Sequence, residues 1–129
     1  MKTSIRLSLL PLLMLLAVAT AAAKGPEISF ASTTHEFGTI KSSGGTVTCE
    51  YRFTNTGDAP LIIVNVTNGG CGCTKPEYPK HPVQPGETGS VKITFNPSGR
   101  KGEFNRQVKV TTNAKPKTTR LKFSGAIVP

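Results

Sequence analysis

Between Val47 and Thr54 the chain alternates without a fault. Val47, Cys49, Tyr51 and Phe53 fall on one parity and Thr48, Glu50, Arg52 and Thr54 on the other. Successive side chains of an extended strand point to opposite faces, so the first set faces a core and the second faces water. A helix has no use for this pattern, because its like-facing positions recur every three to four residues. The same period returns in Val91, Ile93 and Phe95. It returns again in Phe104, Val108 and Val110 with Lys109 opposite, and in Leu121 and Phe123 with Arg120 and Lys122 opposite. Ile28–Phe30, His35–Ile40 and the β-branched run Leu61–Val66 supply further short strands.

Turn chemistry separates these pieces. Ser42-Ser43-Gly44-Gly45, Asn55-Thr56-Gly57-Asp58, Asn96-Pro97-Ser98-Gly99 and Asn113 to Lys117 all break the alternation. The stretch from Asn68 to Gly86, rich in Gly, Cys and Pro, reads as one long loop. No segment could serve as a crossover helix, which excludes a parallel α/β architecture. Strands at intervals of roughly ten residues predict an antiparallel immunoglobulin-like β-sandwich of seven to eight strands.

The start of the chain follows different rules. Lys2 and Arg6 precede an almost wholly apolar run from Leu7 to Ala19, and Ala21 and Ala23 supply small residues at a signal-peptidase spacing. Residues 1–23 are therefore expected to be a signal peptide, and residues 24–129 a single exported domain, soluble and periplasmic or secreted. The run is interrupted by Pro11 and falls short of the roughly 20 apolar residues of a membrane span.

Several motifs occur in succession along the remainder. His35-Glu36-Phe37-Gly38-Thr39-Ile40 precedes Phe53-Thr54-Asn55-Thr56-Gly57-Asp58-Ala59-Pro60-Leu61. Cys71-Gly72-Cys73-Thr74-Lys75-Pro76, Gln84-Pro85-Gly86 and Phe95-Asn96-Pro97 follow, before Arg100-Lys101-Gly102. This succession resembles the bacterial exported family known as domain of unknown function 1573. Through its Asn-Thr-Gly and Pro-Gly-Glu turns it also resembles the wider Hydin-type and major-sperm-protein-like domains. The resemblance implies an immunoglobulin-like fold and export, with no established activity; Cys49 lies outside its pattern.

The inventory for catalysis is thin. His35, His81 and Asp58 are the only His and Asp residues, and no nucleophile elbow, phosphate loop or dinucleotide fingerprint is present. A non-enzyme is the expectation. Cys71-Gly72-Cys73 is the sharpest chemical feature, and three readings of it stay open. The first is a disulfide, either within the pair or between one member and Cys49, which leaves one thiol over. Extended chain would hold the Cα atoms of Cys71 and Cys73 roughly 6.5–7 Å apart, the upper limit for a bridge. The second is a copper or zinc site on Cys71 and Cys73 with Cys49 or His81 as third ligand. The third is redox exchange, although the Cys-x-x-Cys spacing is missing. The expected cofactor is none, with a metal as the alternative. Asn65-Val66-Thr67 matches a glycosylation sequon but lies within an apolar strand, and is read as chance.

Charge is concentrated at one end. Beyond residue 23, six basic and six acidic groups balance up to residue 99, whereas residues 100–122 hold eight basic groups against Glu103 alone. Alternation places Lys109, Arg120 and Lys122 outward, extended by Lys115 and Lys117 at the turn, as an anion-binding face. Lys and Arg also discourage edge-to-edge aggregation, which accounts for part of this charge. No aromatic residues interleave to stack bases, so nucleic acid is not expected. The expected partner is a protein or an acidic envelope polymer, met by a small exported non-catalytic binding or structural module. The alternative function is a metal- or redox-handling protein using Cys-Gly-Cys.

Overall fold

The computed structural model describes residues 24–129; the expected signal peptide lies outside the described residues. Eight strands form, with no helix among the described residues. They are β1 (Ile28–Phe30), β2 (Thr34–Lys41), β3 (Val47–Asn55), β4 (Ile63–Val66), β5 (Thr74–Glu77), β6 (Thr88–Phe95), β7 (Gly102–Thr112) and β8 (Thr118–Val128). One sheet has the order β1-β3-β6-β5 and the other β2-β8-β7-β4. This is the immunoglobulin-like sandwich that the alternation and turn spacing predict.

Two local features differ from expectation. β2 runs parallel to β8, while the other strand pairs are antiparallel. These are the first and last strands of their sheet in chain order. The intervening domain connects them, so this parallel pair needs no crossover helix. The stretch Asn68–Gly86 is not all loop either, because Thr74–Glu77 forms β5 against the end of β6. A four-residue strand containing Pro76 shows no alternation of its own. Its pairing is set by its partner, and Pro is tolerated there because β5 lies at a sheet edge.

The core follows the parity of the sequence. Tyr51 and Phe53 of β3, Val91, Ile93 and Phe95 of β6, Val108 and Val110 of β7, and Leu121 and Phe123 of β8 are all buried. Phe95 joins the two sheets, stacking on Phe104 at 4.8 Å between centroids and meeting Phe123 at 5.6 Å. Full burial of a side chain of this size contributes about 2–3 kcal/mol.

Asn55 is the main polar exception, and it is fully buried. Its amide nitrogen donates to the carbonyls of Ala59 (2.8 Å) and Val83 (2.9 Å), while its Oδ1 accepts from the backbone N–H of Gly57 (2.9 Å) and Glu27 (3.4 Å). Two donors and two acceptor positions are thus all used. The Asn-Thr-Gly turn is a junction that fastens the start of the domain and the Val83 loop to the end of β3. Gly57 is required there, because a Cβ would collide with the backbone of Gly25 and Pro26.

Candidate functional site

The Cys-Gly-Cys segment sits at the end of the sandwich where the Asn68–Cys73 loop meets the end of β6. Gly69 has φ +69°, and a Cβ there would lie 2.7 Å from the Gln107 carbonyl oxygen, so only glycine lets the loop rest on β7. The chain then tightens into a turn, with Thr74 N–H donating to the Cys71 carbonyl at 3.2 Å. This turn brings the two Cα atoms to 5.1 Å and the two sulfurs into contact. The spacing falls inside the range a bridge requires, where extended chain would not.

The sulfurs have unequal surroundings. Cys71 is buried, and its Sγ accepts from the Cys73 backbone N–H at 3.2 Å and from the Arg100 guanidinium at 3.2 Å. Cys73 is half-buried, with its Sγ 3.6 Å from the Thr74 hydroxyl. Arg100 is held by the turn that precedes it, in which its N–H donates to the Pro97 carbonyl (3.1 Å) and Ser98 N–H to Asn96 Oδ1 (3.0 Å). The first residue of that turn, Asn96, donates its backbone N–H to the Cys73 carbonyl at 2.8 Å. One turn therefore holds the cysteine segment twice, by backbone at Cys73 and by side chain at Cys71. Sequence reading placed Arg100 in a basic stretch and at the end of the family motif succession, with no signal linking it to a sulfur 29 positions away.

Cys49 does not join this site. Cys49 pairs with Ile93, and Ile93 pairs with Pro76 on its other side, so Cys49 stands two strands from β5. Two inter-strand steps amount to about 9.6 Å, and Cys73 lies three residues further along, beyond the reach of a disulfide. The expected alternative of a Cys49 bridge is corrected accordingly: Cys49 is a free, buried thiol. Burial pushes that thiol up from its ordinary range. The three-ligand copper or zinc site is not assembled either. His81 is exposed on its loop, and among the described residues no three His, Cys, Asp or Glu gather in a metal-binding group. His35 packs edge-on against Phe37 at 4.5 Å.

The basic residues are brought together more closely than parity alone requires. Lys109 and Arg120 are direct cross-strand partners, and Lys122 faces Gln107 one step along the same ladder. Lys109, Lys115, Lys117, Arg120 and Lys122 are all exposed. The hairpin tip carrying Lys115 and Lys117 is fastened to the chain leading into β4. Asn113 Oδ1 accepts from Ile62 N–H (2.8 Å), its Nδ2 donates to the Pro60 carbonyl (3.1 Å), and its own N–H donates to the Ile62 carbonyl (3.1 Å). β4 is an edge strand; Ile62 just before it and Val64 within it are 45% and 62% exposed. An apolar edge thus runs beside the basic hairpin. Arg106 of the same stretch behaves differently. It shares the inward parity of Phe104 and Val108, is half-buried, and its Nε has no hydrogen-bond partner among the described residues.

Among known proteins, the family described as "Protein of unknown function (DUF1573)" matches residues 28–127. The chain belongs to that family. No curated protein matches it in sequence. A protein of unknown function from Porphyromonas gingivalis W83 has a similar structure, with a TM-score of 0.69 at 19% identity over 84% of this chain and 50% of that one. The chain thus spans half the length of that relative. The VesB protease of Vibrio cholerae aligns with a TM-score of 0.60 at 13% identity, over 79% of this chain and 32% of its own. The PapD-like domain 7 of human CEP192 aligns with a TM-score of 0.58 at 16% identity, over 82% of this chain and 87% of its own. At these identities the likeness is one of fold.

Proposed function

We propose that this family member is a small exported binding module without acid–base or hydrolytic catalysis, one that takes up an extended acidic protein segment along β4 beside the basic hairpin. Residues 1–23 direct export in this reading and are removed. The observation that carries it is the direct pairing of Lys109 with Arg120 on an exposed ladder. Like charges opposite one another are destabilising in a sheet, and an acidic partner relieves that cost. The neighbouring edge supports the same reading. β1 has only three residues, β5 contains Pro76, and β2 has an irregular register between Glu36 and Thr39. These are devices that discourage strand addition. β4 also has an irregular register, yet exposed Ile62 and Val64 flank it. An added strand with apolar residues on alternate positions would cover them, and its acidic residues would meet the hairpin.

The absence of acid–base catalysis draws support from how the candidate groups are occupied. The Asp58 carboxylate accepts from the backbone N–H of Lys24 (2.9 Å) and Gly25 (2.7 Å), closing a turn. His35 packs edge-on against the Phe37 ring, and His81 is exposed on its loop. The test is fluorescence anisotropy with a labelled synthetic ten-residue peptide alternating Val with Glu, at two salt concentrations. Binding that weakens with salt, falls at least tenfold in a Lys109→Glu/Arg120→Glu variant and is lost in Val64→Lys supports the proposal. Each tenfold corresponds to about 1.4 kcal/mol. Equal affinity in all three proteins overturns it. Loss on charge reversal alone, with Val64→Lys unaffected, transfers the face to an acidic polymer instead.

A further inference from the structure

We infer that Cys71-Gly72-Cys73 is a thiol–disulfide exchange site whose buried sulfur is served by Arg100, a role separate from partner binding at β4. The argument rests on the asymmetry of the two sulfurs. Cys73 is half-buried, and Gly72 beside it is exposed, with no heavy atom within 4 Å of where a Cβ would stand. The turn is therefore open at Gly72, the side from which an incoming thiol would approach the partly buried Cys73. Cys71 is buried and receives two N–H donors, one of them a guanidinium. A disulfide sulfur is a weak hydrogen-bond acceptor, whereas a thiolate is a strong one, and charge-assisted bonds are about twice as strong as neutral ones. The pair of donors thus favours the state in which negative charge rests on Cys71.

The reaction follows from that geometry. A thiolate of a partner dithiol attacks the accessible Cys73 Sγ, and a new S–S bond forms as the Cys71–Cys73 bond breaks. The electron pair of the broken bond goes to Cys71 Sγ, where Arg100 and the Cys73 N–H receive it. The partner's second thiolate then attacks its own sulfur in the mixed disulfide and releases Cys73 as a thiolate. The partner dithiol loses two electrons and becomes a disulfide, while Cys71 and Cys73 gain two. The protons from the partner's thiols pass to Cys73 and to solvent. In the reverse direction the same steps reoxidise the pair. Redox-active pairs elsewhere use a helix N-terminus to hold the charged sulfur. Here no helix is present among the described residues, and a turn-held arginine supplies the positive charge.

The test equilibrates the purified protein in buffers of graded glutathione and glutathione disulfide, quenches with an alkylating agent and counts alkyl groups by intact mass. The expected result is one transition in which Cys71 and Cys73 gain two alkyl groups together, while buried Cys49 stays unlabelled until the protein is unfolded. Arg100→Ala moves the midpoint about tenfold toward the oxidised form, as loss of a charge-assisted bond to the thiolate requires. Arg100→Lys recovers part of that shift. In a Cys71→Ser variant Cys73 accumulates a mixed disulfide with glutathione, and in a Cys73→Ser variant Cys71 does so at least tenfold more slowly. If Arg100→Ala does not fold, Arg100→Gln takes its place, since it keeps an amide donor without charge. A pair that stays fully oxidised or fully reduced across the whole series overturns the proposal. So does a midpoint that neither Arg100 variant moves.

Discussion

The Asn55 turn and the Cys71 turn are built from the same means, side-chain and backbone hydrogen bonds that close a tight bend at an end of the sandwich. They differ in what is left over. Around Asn55 every donor and acceptor of the side chain meets a neutral backbone group, and the residue is sealed from solvent. Around Cys71 the acceptor is a sulfur, one donor is a charged guanidinium, and the companion sulfur is half-buried. A satisfied buried amide can only hold the fold together. A polarised sulfur pair beside open space can change its bonding. The first region is therefore structural, and the second has chemistry in reserve.

This contrast is breakable by substitution. The largest effect is expected from Asn55→Ala, which strips partners from the Gly57 and Glu27 N–H groups and the Ala59 and Val83 carbonyls. Leaving buried groups unpaired should cost about 3 kcal/mol in urea unfolding. A loss below about 1 kcal/mol would mean that water replaces the amide and that the turn is not the junction described. A smaller effect is expected from replacing Cys71 and Cys73 together by Ala. A bridge closing a three-residue loop removes little chain entropy, about 1.6 kcal/mol on the loop-closure relation. A loss as large as that of Asn55→Ala would turn the cysteine turn into a second structural junction.

The smallest effect is expected at Asp58, which is exposed, and it is visible only through pH. Backbone hydrogen bonds from Lys24, then Gly25, hold its carboxyl below the ordinary value of 3.8. A folded-state value below the unfolded one gives stability that is present above the unfolded value and lost as pH falls through the folded one. Asp58→Asn should accordingly differ from the wild type at neutral pH and converge with it in acid. Parallel pH curves for the two proteins would show that the carboxylate's charge contributes nothing.

The parity of Val47, Cys49, Tyr51 and Phe53, and of Val91, Ile93 and Phe95, was legible directly, because face follows from a two-residue period whatever the neighbouring strand is. The inward parity of Arg106 was equally legible, since it stands in phase with Phe104 and Val108, although the sequence reading only counted it among the basic residues of 100–122. β5 was not legible, because its register belongs to β6. The Asn55 turn was recognisable as a turn, whereas its burial was not, since that depends on Glu27 and Val83 arriving from elsewhere in the chain.

The sequence by itself determined the fold class, the core-facing residues of the long strands, the concentration of charge between residues 100 and 122, and the close spacing of Cys71 and Cys73. These are properties of short stretches, where backbone geometry alone decides which side chains share a face. Only the tertiary structure decided that Cys49 stands two strands away from β5, that Asn113 fastens the basic tip to Ile62, and that the exposed Arg100 reaches back to the Cys71 sulfur. Each of these depends on strand order and register. Those bring together residues far apart in the chain, as Phe95, Phe104 and Phe123 meet between the sheets, and no local period encodes such a meeting.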